Sequence, residues 1–222
     1  IEICKGLSHA HNKLDLEGKP LHIVHRDISP PNVLLSREGE VKITDFGLAK
    51  AQSQVETTDP GVVKGKFGYL SPEAAHGEAV DLRTDVFAVG ILLWEMLIGK
   101  RLFLGKSDYD TLRLVQEARI PSMQEYRSDI PHQLAQIVER ALARDINYRY
   151  QDCRSLAEAL AEFLFSWGRP VTSYDIAKLV QGVMAIRSGK ARDVDDAKIN
   201  EVVQKEINKL KGLEEIENLD LY

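Results

Sequence analysis

Cysteine is scarce: Cys4 and Cys153 are the only two in 222 residues. Each sits among apolar residues at helical spacing, so both are expected to be reduced core thiols. A metal site built on them would need ligand pairs at short spacing, and the sequence has none. A reducing, cytoplasmic setting fits that pattern. Long apolar runs are missing too. The longest, Val86 to Gly99, carries Glu95 inside it. It is too short to span a bilayer and reads as a buried helix, so no membrane segment is expected. No signal peptide is expected, and the sequence shows no internal repeat or low-complexity tract. The chain opens on Ile1 rather than Met, within a helical pattern, so the gene product is expected to extend further toward its N-terminus. No dense Lys/Arg run occurs, and the net charge is −5 with a pI of about 5.7. That balance argues against nucleic acid as a partner.

What is present is 44% apolar composition. A chain of this size can bury roughly 70% of its extended surface, as one domain or two. Ile3, Leu7, His11 and Leu14 recur at helical spacing, which predicts an opening helix ended by Gly18 and Pro20. Leu21–Val24 reads as a short strand. Val33-Leu35 and Val41-Thr44, around a Gly39 turn, read as a hairpin. Residues 51–65 are polar and aperiodic, with Pro60 and Gly61, and read as a long loop, of a kind that is usually functional or disordered. From Pro72 on the pattern is helical, with helices over 72–76, 84–99, 108–118, 131–143, 154–166, 173–187 and 194–211. The fold class is therefore α+β, mainly α. A composition shift at Gly168-Arg169-Pro170 separates a main body, 1–166, from a helical C-terminal extension, 167–222.

The chemistry concentrates in His25-Arg26-Asp27-Ile28-Ser29-Pro30-Pro31-Asn32 and, after the hairpin, Thr44-Asp45-Phe46-Gly47. Phosphoryl transfer calls for these types. One carboxylate must orient an attacking hydroxyl and take its proton, while a carboxylate and an amide oxygen hold Mg²⁺, a hard ion. A lone His-Arg-Asp is ordinarily surface charge and a lone Asp-Phe-Gly a turn. Together, bracketing a hairpin, they point to a site.

At these residues the sequence resembles the protein kinase family. Its catalytic loop runs His-Arg-Asp-x-x-x-x-Asn, its metal loop is Asp-Phe-Gly, and its Ala-Pro-Glu signature stands here as Ser71-Pro72-Glu73. The resemblance covers about residues 1–166, which correspond to the family's large lobe. It implies that Asp27 is the catalytic base and that Asn32 and Asp45 bind magnesium. It further implies that Leu34 lies beneath the adenine of ATP and that His25 and Phe46 belong to a stacked hydrophobic spine. Asp85 looks like the helix-start Asp that ties down the catalytic loop; as a plain helix-start residue it would cap free N–H groups, and both can hold. Arg149 looks like the arginine that pairs with Glu73. The phrasing, including Gly65-Lys66-Phe67-Gly68-Tyr69-Leu70 before Ser71, is most like bacterial serine/threonine kinases of the myxobacterial kind.

Two departures stand out. The Gly-rich phosphate loop, strand Lys and helix Glu of the family occur nowhere in 1–222. In the family they belong to the small lobe, so this stretch is expected to be inactive alone and to meet ATP through that missing lobe. The family also has Lys two residues after the catalytic Asp and Thr after the Gly of the later segment, where this chain has Ser29 and Lys66. The exchange implies that Lys66 and Ser29 together replace the missing lysine. An active serine/threonine kinase acting on a protein substrate is the principal reading. A pseudokinase or scaffold is the alternative, and a tyrosine kinase a third that the catalytic-loop wording disfavours. Arg26 before the catalytic Asp implies a loop ordered by phosphate, with Thr57 and Thr58 as acceptors and Ser53 behind them. The narrow apolar stripe Ile199, Val203, Ile207 and Leu210 suggests a docking helix over 193–210.

Overall fold

The computed structural model describes residues 1–46, 66–168 and 170–189, with the side chains of residues 66, 188 and 189 outside that set. The loop acceptors Thr57 and Thr58 and the tail helix at 193–210 lie outside the described residues.

These residues form two compact units. The first joins 1–34 to 41–170 and the second joins 35–40 to the chain from Val171. The first unit opens with α1 (Glu2–His11), which buries Cys4, Leu7, Ala10 and His11. The helix ends well before Gly18. Asn12 turns its amide back onto the Ser8 carbonyl, and Asp15 then accepts from the N–H groups of Glu17 and Lys19. That side-chain-centred turn competes with helix and wins. Leu21–Val24 is not a strand either. His22 sits at a φ of 48°, which breaks an extended run, and the local pairing is an isolated bridge between Leu14 and Pro20.

The hairpin is real: β1 (Val33–Leu35) pairs with β2 (Val41–Ile43) in a two-stranded sheet. α1 packs on β2 close enough that a Cβ on Gly6 would sit 3.0 Å from the Ile43 side chain.

The helices then follow the sequence pattern: α2 (Pro72–Ala75), α3 (Arg83–Ile98), α4 (Asp108–Glu117), α5 (His132–Ala141) and α6 (Cys153–Ser166). Their starts are chemical. Ser71 accepts from Ala74 N–H, Ser107 and Asp110 form a reciprocal capping box, and Asp152 accepts from Ser155 N–H. α3 is apolar all round, and so it forms the centre of the core. Val86, Phe87, Ala88, Val89, Ile91, Leu92 and Trp94 are all buried there. α5 crosses it at Gly90, where a Cβ would come 2.9 Å from Leu142. Both cysteines are free and buried, one on α1 and one at the start of α6. Burial pushes the Cys4 thiol up to about 11 and raises Cys153 as well, so neither ionises readily.

In the second unit, α7 (Ser173–Gly189) meets the hairpin turn, residues 35–40. No helix among the described residues is long and apolar enough to cross a membrane.

Candidate active site

The loop from His25 to Asn32 has no regular structure before its last turn, so something else must fix its shape. Asp85, on the first turn of α3 and fully buried, supplies it. Its Oδ2 accepts from the His25 N–H at 2.8 Å and its Oδ1 from the Arg26 N–H at 2.8 Å. His11 of α1 also places Nε2 2.8 Å from Asp85 Oδ2. The carboxylate is turned on the loop, while the Arg83 N–H at the helix start is met by Asp81 Oδ1 at 2.8 Å. Arg26 is held at a φ of 66°, in the left-handed region. A non-glycine there costs about 1–2 kcal/mol, and the two charge-assisted bonds from Asp85 offset it.

His25 is completely buried and satisfied at both ring nitrogens. Nε2 donates to the Thr44 carbonyl at 3.0 Å, and Nδ1 accepts from the Asp27 N–H at 3.3 Å. That is the pattern of the neutral Nε2–H tautomer. The ring lies 4.6 Å from that of Phe46, tilted by 52°. His25 thus ties the backbone just before Asp27 to the backbone just before Asp45.

Asn32 closes the arrangement. It ends a 3₁₀ turn over Pro30–Asn32 whose preceding residue, Ser29, is buried and extended. Its Nδ2 donates to the Asp27 carbonyl at 2.7 Å, and its own carbonyl accepts from the Thr44 N–H at 3.0 Å. Asp27 is half-buried, while Asp45 is exposed with a φ of 58°. Asn32 and Asp45 therefore emerge from neighbouring ends of one hairpin, and Asp27 is stapled to the first of them. The donors on offer are carboxylates and an amide oxygen whose nitrogen is already spoken for, which suits a hard divalent cation. Leu34, on β1, is half exposed, and the Arg26 side chain is exposed.

Glu73 and Arg149, 76 positions apart, meet in a bidentate pair with both N···O distances 2.8 Å. Arg149 is fully buried. It donates further to the carbonyls of Ala143 and Arg144, and its guanidinium lies 4.7 Å over the Phe87 ring. Glu73 also accepts from the Thr84 hydroxyl. Burial alone would raise the Glu73 carboxyl, but the Arg149 hydrogen bonds and charge hold it below the usual glutamate range.

Two further groups carry no role on sequence alone. His11 reads as one more member of an apolar stripe, yet it is a polar anchor on Asp85. Glu95 reads as a charge stranded in an apolar helix, yet it accepts from the Tyr69 hydroxyl at 2.7 Å, from Arg101 Nε at 3.0 Å and from the Leu102 N–H at 3.0 Å. Burial and then the Glu95 bond push the Tyr69 hydroxyl well up. The cluster pins the segment before Ser71 to the end of α3. The signal available in sequence was the charge itself, since a charge inside an apolar run is retained when partners exist.

The family model described as "Protein kinase domain" matches residues 1–162. The chain belongs to the protein kinase family. Among curated proteins, this kinase chain is 42% identical over 164 residues to the tyrosine-protein kinase MasK of Myxococcus xanthus, covering 74% of this chain and 25% of that one. It is 34% identical over 155 residues to the serine/threonine-protein kinase PrkC of Bacillus subtilis, covering 70% and 23%. Among solved structures, the twitchin kinase region from C. elegans superposes with a TM-score of 0.58 at 26% identity, over 82% of this chain and 31% of that one. The chain thus spans about a quarter of the length of these curated relatives. The mainly helical kinase large lobe with its small hairpin, expected from the motifs, is the fold of this kinase chain.

Proposed function

We propose that residues 1–166 are the large lobe of a bacterial serine/threonine protein kinase, with 167–222 a helical extension, and that the lobe transfers the γ-phosphoryl group of ATP to protein hydroxyls. The observation that carries this reading is the stapled loop: Asn32 Nδ2 on the Asp27 carbonyl at 2.7 Å and the Asn32 carbonyl on the Thr44 N–H at 3.0 Å. It supports Asp27 as the base that orients the substrate hydroxyl and takes its proton. Asn32 and Asp45 would hold magnesium, which would neutralise phosphate charge. The apolar face of Leu34 would underlie the adenine. A protein substrate and a cytoplasmic setting for this domain complete the proposal, the latter supported by two free, buried thiols.

The test uses the protein supplied with a small lobe, labelled ATP, magnesium and a basic protein substrate. Transfer is expected to serine and threonine and to be abolished by Asp27→Asn. Phosphotyrosine as the main product would overturn the specificity and match the name of the Myxococcus relative. Residues 1–222 alone are expected to transfer nothing, since half of the phosphate grip is absent from them.

The Ser29–Lys66 exchange carries a second expectation. An ammonium near the transferred phosphoryl lowers the barrier, and Lys is a compact charge on a flexible stem. Lys66→Met is expected to cut turnover by on the order of a hundredfold. Ser29→Lys combined with Lys66→Thr is expected to restore much of it. Unchanged turnover in Lys66→Met would favour the scaffold alternative. Arg26, exposed beside Asp27, would pair with phosphate on Thr57 or Thr58, which mass spectrometry of the active protein would detect.

A further inference from the structure

The hairpin that joins Asn32 to Asp45 has a turn closed by its own hydrogen bonds. Ser36 Oγ accepts from both the Glu38 and Glu40 N–H groups, and the Ser36 and Gly39 amides close the turn on the Glu40 and Ser36 carbonyls. Gly39 has a φ of 84°, a conformation that glycine adopts at little cost. It is also buried. What buries it is α7. A Cβ at position 39 would run into the carbonyl oxygen of Ser173 and come 2.8 Å from the Ala177 nitrogen. Ala177 is 6% exposed, and one turn further along Gln181 donates Nε2 to the Arg37 carbonyl at 3.2 Å.

The placement of α7 under the turn is itself specified. Asp175 accepts from both the N–H and the hydroxyl of Thr172, at 2.8 and 2.7 Å, which sets where the helix begins. The small side chain at Ala177 and the absent one at Gly39 then let two backbones touch. α7 lies wholly beyond the segment matched as protein kinase domain, residues 1–162.

We propose that α7 braces the β1–β2 hairpin, and that Ala177, Gly39 and Gln181 are positioning residues for the Asn32–Asp45 pair. The mechanical route is the chain itself. β1 runs from Asn32 into the braced turn, and β2 returns from it to Thr44 and Asp45. A turn that cannot rock keeps the two strand ends, and the Thr44–Asn32 bond between them, in register. The part of this inference that concerns metal rests on the reading of Asn32 and Asp45 given above; the brace itself does not.

The test uses the full chain and an obstacle placed on the α7 side, so that the turn's own sequence is untouched. Ala177→Arg should speed hydrogen exchange in peptides covering residues 29–46 by tenfold or more, while peptides from α3 keep their wild-type rates. Ala177→Ser, which fits the same space, should behave as wild type. Gly39→Ala should match Ala177→Arg. In the protein supplied with a small lobe, Ala177→Arg should raise the magnesium concentration needed for half-maximal transfer at least threefold, with a smaller change in turnover at saturating metal. Unchanged exchange at 29–46 in Ala177→Arg would overturn the brace. Faster exchange with an unchanged magnesium requirement would overturn its link to Asn32 and Asp45. A protein that transfers no phosphate at all would fail the kinase reading, while the exchange data would still decide the brace.

Discussion

Asp85 and Glu73 are both acidic, both closed off from solvent, and held by different kinds of partner. Asp85 is held by backbone: two N–H groups of the His25–Asn32 loop, with an imidazole beside them. Glu73 is held by charge, through a bidentate arginine that reaches it from 76 positions away. A carboxylate on backbone amides dictates local conformation, here the left-handed Arg26. A carboxylate on a guanidinium dictates which segments lie together, here the start of α2 and the turn before α6. The first should therefore govern chemistry more than stability, and the second stability more than chemistry.

The strongest way to break this contrast is Glu73→Ala. It leaves the Arg149 charge buried with backbone carbonyls alone, and the loss should be about 3–5 kcal/mol. Urea denaturation monitored by tryptophan fluorescence would show it. The double change Glu73→Leu with Arg149→Met should cost less than Glu73→Ala alone, because no charge is then stranded.

Asp85→Asn should cost less stability, about 1–3 kcal/mol, because an amide keeps one acceptor and leaves one loop donor unmet. In the protein supplied with a small lobe, phosphoryl transfer should nevertheless fall to the background of Asp27→Asn, because the loop before Asp27 loses its shape. Asp85→Asn with normal turnover would erase the distinction.

The smallest effect lies in pH. The Glu73 carboxyl is lowered in the folded protein, so the unfolded state takes up its proton first as acid is added. Its contribution is complete above the unfolded value, about 4.3, and is lost as pH falls through the lower folded value. Urea midpoints measured between pH 3 and 6 should fall on acidification, and Glu73→Gln should flatten that fall. An equally steep fall in Glu73→Gln would assign it to other carboxylates.

Much of this was legible in the sequence, and the reasons are local. α3 announces itself by an unbroken apolar run, α4 by Ser107 and Asp110, and the hairpin by β-branched and leucine residues around Gly39. The candidate site stood out because Asp27, Asn32 and Asp45 sit in short motifs. What escaped was set by side chains acting at a distance or against the local pattern. Asp15 ended α1 where hydrophobic spacing ran on to Leu14, and His22 broke a run of apolar residues that had no partner strand. The roles of His11 and Glu95 depend on Asp85, Tyr69 and Arg101, and no periodicity links those positions. The junction of Gly39 with Ser173 is a meeting of backbones, to which sequence contributes the absence of a side chain.

The partners of Asp85 are 74, 60 and 59 positions upstream of it. A ribosome releases the His25–Asn32 loop well before it releases α3. Until then the His25 and Arg26 amides have no carboxylate to hold them, and nothing repays Arg26 for its unfavourable backbone. Domains fold as units during synthesis, and contacts this distant form late. A nascent chain therefore carries Asp27 and Asn32 for some time as an unshaped segment. One aspartate would thus set when the loop takes its shape: only once the core helix that carries that residue has formed and been buried.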